Sequence, residues 1–342
     1  MTSARRLAAV LCLLALAALG LSACGSSSSK SSAGAGIANA SATDVIRGTF
    51  SHDTPLRSGR LDATLNLDVK GGSGTPTGPV AVKLSGPFKR NADKKPPSFD
   101  LDLSYSAGAT TFAAGAVSTG DRVYLKLQGK AFDLGSLLSG AVASLGSLGL
   151  DPLSWVKQAR RVGDANVDGA DTVHVTAGID VAKLLHDVNG ALGTVGGLGL
   201  GAAGIPGLPR QISADTRRQI VRSVKSATFD LYSAKSDGTL RRLSAKLALA
   251  LGNASLVADV TDANQSQTIS APKNAQPITA LLTQMQGLLG GLLGGGSGGS
   301  GGSGSGSGGG ASAGSSAKYL DCVTKAGQDV AKVQKCASLL GP

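Results

Sequence analysis

The residues that most often ligate metals or act as acids and bases are here three histidines, four cysteines and 22 aspartates, since the sequence contains no glutamate. His52 stands beside Asp53 in a turn, His174 within a Val-His-Val strand, and His186 before Asp187 on a helical stretch. No two of them are spaced as metal ligands. Without glutamate neither an H-E-x-x-H zinc site nor a standard EF-hand loop can be written. A G-x-S-x-G pattern occurs around Ser297 and Ser300, but it lies in a Gly/Ser tract with no strand and helix to build a nucleophile elbow. No glycine-rich loop ends in Lys-Ser/Thr, and the paired Asp100 and Asp102 alternate onto the wet side of a strand. The residues point to no catalytic centre, no metal and no cofactor, so the expectation is a protein that is not an enzyme.

The cysteines carry more information. Cys322 and Cys336 stand 14 residues apart near the C-terminus. On one continuous helix that spacing is about 21 Å, far beyond disulfide reach. Gly327-Gln328-Asp329 offers a stop and a new N-cap between them. The segment 317–342 is therefore expected as a two-helix hairpin stapled by Cys322 and Cys336. Closing a loop of this length contributes roughly 3 kcal/mol, and so small a hairpin has little core without it. The hairpin's role is open: it docks on the body, holds a protein partner, or does neither.

Cys24 sits at a seam. Arg5 and Arg6 supply a positive start, Leu7 to Leu21 an apolar core, and Ser22-Ala23 the small residues of a cleavage site. The motif Leu21-Ser22-Ala23-Cys24 resembles the bacterial lipobox. That resemblance implies a diacylglycerol on the Cys24 thiol, cleavage before it, and a lipid anchor with palmitate-type chains. One acyl chain binds a bilayer only marginally, so stable anchoring takes two or more. The alternative is an uncleaved span, since about 18 apolar residues can just cross a bilayer; the many small residues and the boundary cysteine favour cleavage. Ala4-Arg5-Arg6-Leu7-Ala8 lacks the flanks of a twin-arginine signal, which leaves Sec export.

These features divide the chain into a signal peptide (1–23), a Ser/Gly/Ala tether (24–41), a main domain (42–293), a Gly/Ser linker (294–316) and the terminal hairpin (317–342). The linker is a flexible coil with a mean reach of roughly 25 to 30 Å. The formal charge of +11 is carried by scattered single positives, and aromatics are 3% of residues. That argues against nucleic-acid recognition and suits a face solvated beside anionic lipids.

Within the main domain, "GRLDATLNLDVKG" alternates with a period of two, which marks a strand with one buried and one wet face. "PVAVKLSGPF" and "SFDLDLSYS" repeat the pattern. A hairpin is expected to turn near Thr119-Gly120, and another at Asp237-Gly238. "SLVADVTD" supplies a last strand. Helices are expected over 41–50, in "DPLSWVKQA" with Asp151 as N-cap and Pro152 first, in "DVAKLLHDVNG" with Asp180 as cap and Gly190 as stop, and from Ser213. Serial strands interrupted by a few helices indicate an α+β fold on an antiparallel sheet.

The lipobox, the tether, the leading helix and the strands, with "VSTGDRVYLKL", "VHVTAGIDVAKLL", "ATFDLYSAKSDGTLRRL" and "VTDANQSQTISAP", resemble the actinobacterial lipid-carrying lipoproteins of the LppX/LprG type, within the LolA-like superfamily. The resemblance spans roughly 42–275. It implies a curved antiparallel half-barrel with helices on its concave face and an apolar cavity for acyl chains of lipids or lipoproteins.

Two uncharged segments could line or gate such a cavity. One has an apolar stripe of Leu134, Leu137, Leu138, Ala141, Leu145 and Leu148 at helical spacing, the other of Ile278, Leu281, Leu282, Met285, Leu288, Leu289, Leu292 and Leu293. Either could equally cap the sheet's buried face. The expected function is a lipid-anchored protein on the extracytoplasmic face of the cell membrane, binding a lipid ligand in lipid transport. Its rival is an anchored interaction module with a filled core.

Overall fold

The computed structural model describes residues 37–50, 56–69, 79–91, 95–135, 151–197, 211–250 and 252–280. The chain divides into two compact units, Met1–Gln286 and Gly287–Pro342, and every described residue belongs to the first. The terminal hairpin with Cys322 and Cys336, the linker, the signal segment and Cys24 lie outside the described residues.

Twelve strands form one sheet among the described residues: β1 (Ser58–Val69), β2 (Val80–Lys89), β3 (Ser98–Ala107), β4 (Thr110–Ser118), β5 (Val123–Leu127), β6 (Lys130–Gly135), β7 (Val156–Val167), β8 (Ala170–Ile179), β9 (Val224–Ala234), β10 (Leu240–Leu249), β11 (Gly252–Thr261) and β12 (Gln276–Pro277). Their order is β12-β6-β5-β4-β3-β2-β1-β11-β10-β9-β8-β7. All pairings are antiparallel except β12 with β6. The ends of this order do not meet. The sheet is an open, curved half-barrel, as expected of twisted strands in this number, and the fold is α+β.

Alternation decides which face of each strand is inside. In β1, Leu61, Ala63, Leu65 and Leu67 are buried while Arg60, Asp62, Asn66 and Asp68 face water. Gly86 interrupts the neighbouring ladder. With φ of 145°, it passes so close to β3 that a Cβ there would overlap the Asp100 carbonyl, so only glycine fits. Pro87 follows, without an N–H to offer. Both hairpin expectations hold. At the second, Asp237 accepts from its own side of the turn, the N–H of Thr239 at 2.9 Å, and Gly238 takes φ of 72°.

Among the described residues, helices α1 (Ala42–Phe50), α2 (Pro152–Trp155), α3 (Val181–Gly197) and α4 (Ala214–Ser223) accompany the sheet. The caps were correctly placed, since the Asp151 side chain accepts from the N–H of Leu153 and Ser154, Asp180 from Ala182 and Lys183, and Ser213 from Thr216. Two lengths were not. The helix expected through "DPLSWVKQA" is a single turn, and Val156 leaves it in extended conformation to begin β7. The helix expected to stop at Gly190 continues to Gly197. Val181, Leu185, Val188 and Leu192 form one buried stripe along it, and their burial outweighs the cost of about 1 kcal/mol for an interior glycine.

Candidate functional site

The inner face of the half-barrel is an apolar surface built by register. One row starts at Leu127 on β5 and passes through Ala114, Leu103, Leu84, Ala63, Ala258, Leu243 and Leu231 to Val175 on β8. It crosses nine strands without a polar side chain. The next row runs from Phe112 through Tyr105, Val82, Leu65, Leu256, Ala245 and Phe229 to Ala177. Period two in the strands makes this continuity automatic once neighbouring registers agree, because a slip of one residue would turn a strand's whole apolar set outward.

Coverage of the face is unequal. At the β8 to β10 end, α1 packs Ala42, Val45 and Ile46 on Val173, Val175, Ala177, Phe229 and Leu231. Here Val45, Ile46, Val175 and Leu231 are fully buried. The α3 stripe packs beside it, against Ile212, Ala227 and Leu247. The two clusters under β1, β2 and β11 contain no residue of a described helix. Toward β3, β4 and β5 the apolar side chains Leu101, Leu103, Tyr105, Leu125 and Leu127 are only half-buried, and Phe112 is 49% exposed. Ala107, Ala114 and Ala116 stand on this part of the face and leave room where a larger side chain would fill it.

The outer face is polar and internally paired. Lys126 reaches across Gly115 to Asp100 at 2.5 Å and Asp102 at 2.6 Å. Burial works against its ammonium, but the hydrogen bonds to the two carboxylates outweigh it and hold its pKa above the ordinary lysine value. Arg242 donates to Asp259 at 2.5 Å, and that hydrogen bond raises the guanidinium's pKa. His174 pairs with Asp230 at 2.9 Å and stacks on Tyr232 with ring centres 4.3 Å apart. These partners account for the histidine's contacts on this face. A shallow depression of about 320 Å³ on the β2 to β4 side is lined by Lys83, Ser104, Tyr105, Ser106, Thr111 and Phe112. No group of three or more His, Cys or Asp side chains could hold a metal ion among the described residues, and no described helix is long and apolar enough to cross a membrane.

Of the residues expected to line a cavity, Leu134 and Ile278 are described. Leu134 was expected at the head of a helical stripe; it lies in β6 instead, half-buried, two residues beyond the fully buried Phe132. Pairing with β5 keeps the chain extended to that point. Ile278 opens a helical turn directly after β12, as expected from Pro277. The parallel register pairs Pro277 with Asp133, so Leu134 and Ile278 each follow by one residue at the same edge of the sheet. Leu137, Leu138, Leu145, Leu148, Leu281, Leu282, Met285 and Leu289 lie outside the described residues.

Two features were missed. β12 is too short to show a period. Arg241 is the second: on an alternating strand, the adjacent pair Arg241-Arg242 cannot put both side chains on the wet face, and that conflict was a readable signal.

No family model matches the chain, and no curated protein does. Among solved structures it is similar to LprF from Mycobacterium bovis, at 15% identity over 68% of this chain and 96% of that one, with a TM-score of 0.37. It is also similar to the lipoprotein LppX of Mycobacterium tuberculosis, at 15% identity over 67% and 98% of the two chains, with a TM-score of 0.36. A putative outer membrane lipoprotein-sorting protein domain from Vibrio parahaemolyticus matches at 7% identity over 67% and 92%, with a TM-score of 0.20. Two of these three are thus described as a lipoprotein and a lipoprotein-sorting domain. The superpositions are loose, and the functional reading rests on the inner face itself.

Proposed function

We propose that this chain is a non-enzymatic envelope lipoprotein, anchored through acylated Cys24, that carries an acyl chain on the inner face of its half-barrel in lipid transport. The observation that carries the reading is the apolar face crossing nine strands, deeply buried under α1 and α3 yet half-exposed from β3 to β5. An apolar surface left partly open is a liability in a soluble domain unless something binds it. Each CH₂ of a lipid tail buried there would contribute roughly 0.8 kcal/mol, so one long chain would bind without polar recognition of the tail. The terminal segment, stapled through Cys322 and Cys336, would offer a separate surface for a protein partner.

Native mass spectrometry on residues 25–342, made without the anchor cysteine, tests this. An extra mass released by organic solvent and matching a lipid is the expected result. A clean protein mass that persists after incubation with envelope lipid extract would overturn the carrier reading.

A further inference from the structure

Arg241 stands at a bulge. β10 pairs Leu240 with Ser233 and then Arg242 with Tyr232, so Arg241 is an extra residue in the ladder. Leu240 packs into two of the inner clusters, and Leu243 packs into one. Arg242 faces outward to Asp259. Alternation back from Leu243 and Arg242 therefore turns Arg241 inward, and at a bulge two consecutive side chains share one face. Arg241 lies one step beyond Arg242 opposite Asp259, and so beside the buried Val260 on β11.

Arg241 is half-buried as a residue, and the inner part of its guanidinium group is shut away from solvent. The Arg241 Nε is buried with no hydrogen bond, and no ion pair to Arg241 is found among the described residues. The other arginine on this turn of the strand, Arg242, is paired to Asp259, and the carboxylates of β1, β3 and β11 lie on the outer face. Leaving the Nε–H donor buried and unmet is costly. Arginine's planar fork is the side chain best matched to a carboxylate or phosphate.

We propose that Arg241 receives the anionic headgroup of an amphiphile whose acyl chain lies along the inner face, so that the cargo class is an anionic lipid. This rests on the acyl-carrying reading above. The tail would extend over the row that follows Val260 through Leu61, Gly86 and Leu101, toward the half-open β3 to β5 end.

The test compares probes that differ in headgroup alone. The chain from residue 25 onward is titrated with cis-parinaric acid and with its methyl ester, and with phosphatidylglycerol or diacylglycerol as competitors. The wild type should prefer the acid, phosphatidylglycerol or both over the neutral counterparts, and the preferred headgroup identifies the carboxylate or the phosphate as the source. Arg241→Gln should weaken the preferred anion by about tenfold or more, leave the ester unchanged, and keep its thermal unfolding midpoint; Arg241→Lys should restore part of the loss. Equal binding of acid and ester by the wild type, or an equal loss of both in Arg241→Gln, overturns the headgroup role while the acyl carrier stands. Binding of no probe at all overturns the carrier reading itself.

Discussion

The hydroxyls of Thr49 on α1 and Ser233 on β9 lie 2.7 Å apart, both shut away from solvent. Thr49 also donates its proton to the Val45 carbonyl at 2.8 Å, so Ser233 must be the donor between the two hydroxyls. This bond fastens α1 to the inner face beside the apolar cluster of Val45, Ile46 and Leu231. Thr49→Val leaves Ser233 with a buried hydroxyl and no acceptor, and should cost about 1–2 kcal/mol. Ser233→Ala should cost about 1 kcal/mol, and the double variant little more than the worse single. Urea midpoints decide it: fully additive losses would mean the two hydroxyls do not interact.

The inner face should respond differently at its two ends. Leu231 is fully buried beneath α1, whereas Leu103 on the same row is half-buried. Leu231→Ala should destabilise by about 3 kcal/mol through cavity formation. Leu103→Trp should change stability by less than about 1.5 kcal/mol, because it grows into open space, and should lower uptake of a fluorescent fatty acyl probe. Retained uptake in a folded Leu103→Trp variant would place the acyl chain elsewhere.

How much of this was legible in the sequence follows from how strictly each strand is confined. β1 has one wet and one dry face, and its alternation reads directly. β7 lies at one edge of the sheet, with register shifts between Lys157 and Arg160 and again between Arg161 and Gly163. Those shifts erase the period of two, and the run "VKQARRVGDANV" showed no strand. Caps are local chemistry, so Asp151, Asp180 and Ser213 were readable; the length of α3 depends on what packs against Val188 and Leu192, which is not local. The site was the least legible part. Expectation fell on connecting segments with apolar stripes, while the described face is assembled from single residues on nine strands, and Arg241 enters it only through a bulge.

Gly115 shows how the outer face depends on the absence of a side chain. A Cβ there would press on Lys126 Cε and lie 2.8 Å from the Leu101 carbonyl oxygen. The lysine can swing away, but the β3 backbone cannot. Gly115→Ala should therefore destabilise by about 1–3 kcal/mol. Lys126→Met should cost less than about 1 kcal/mol, since Asp102 is 69% exposed and the pair is screened. If Gly115→Ala proves as mild as Lys126→Met, the strands are not held as closely as their register implies.

Asp180 gives the fold a defined acid limb. One carboxylate oxygen accepts from the N–H of Ala182 and Lys183 at 3.1 and 3.2 Å, capping α3, and the other meets Lys157 at 3.1 Å. The Lys157 hydrogen bond first, and the Lys183 N–H next, hold the carboxyl below the usual aspartate range. A pKa lowered by folding contributes stability above the unfolded value, about 3.9, and that contribution is lost as pH falls through the lower folded value. Asp180→Asn keeps a competent cap but cannot titrate, and Asp180→Ala removes the cap at a cost of about 1 kcal/mol. Urea midpoints at pH 7 and below 4 should show the wild type ahead of Asp180→Asn at neutrality and the gap closing in acid, with the Asp180→Ala deficit relative to Asp180→Asn unchanged. A gap between wild type and Asp180→Asn that stays constant with pH would mean that the carboxylate's charge does not stabilise the start of α3.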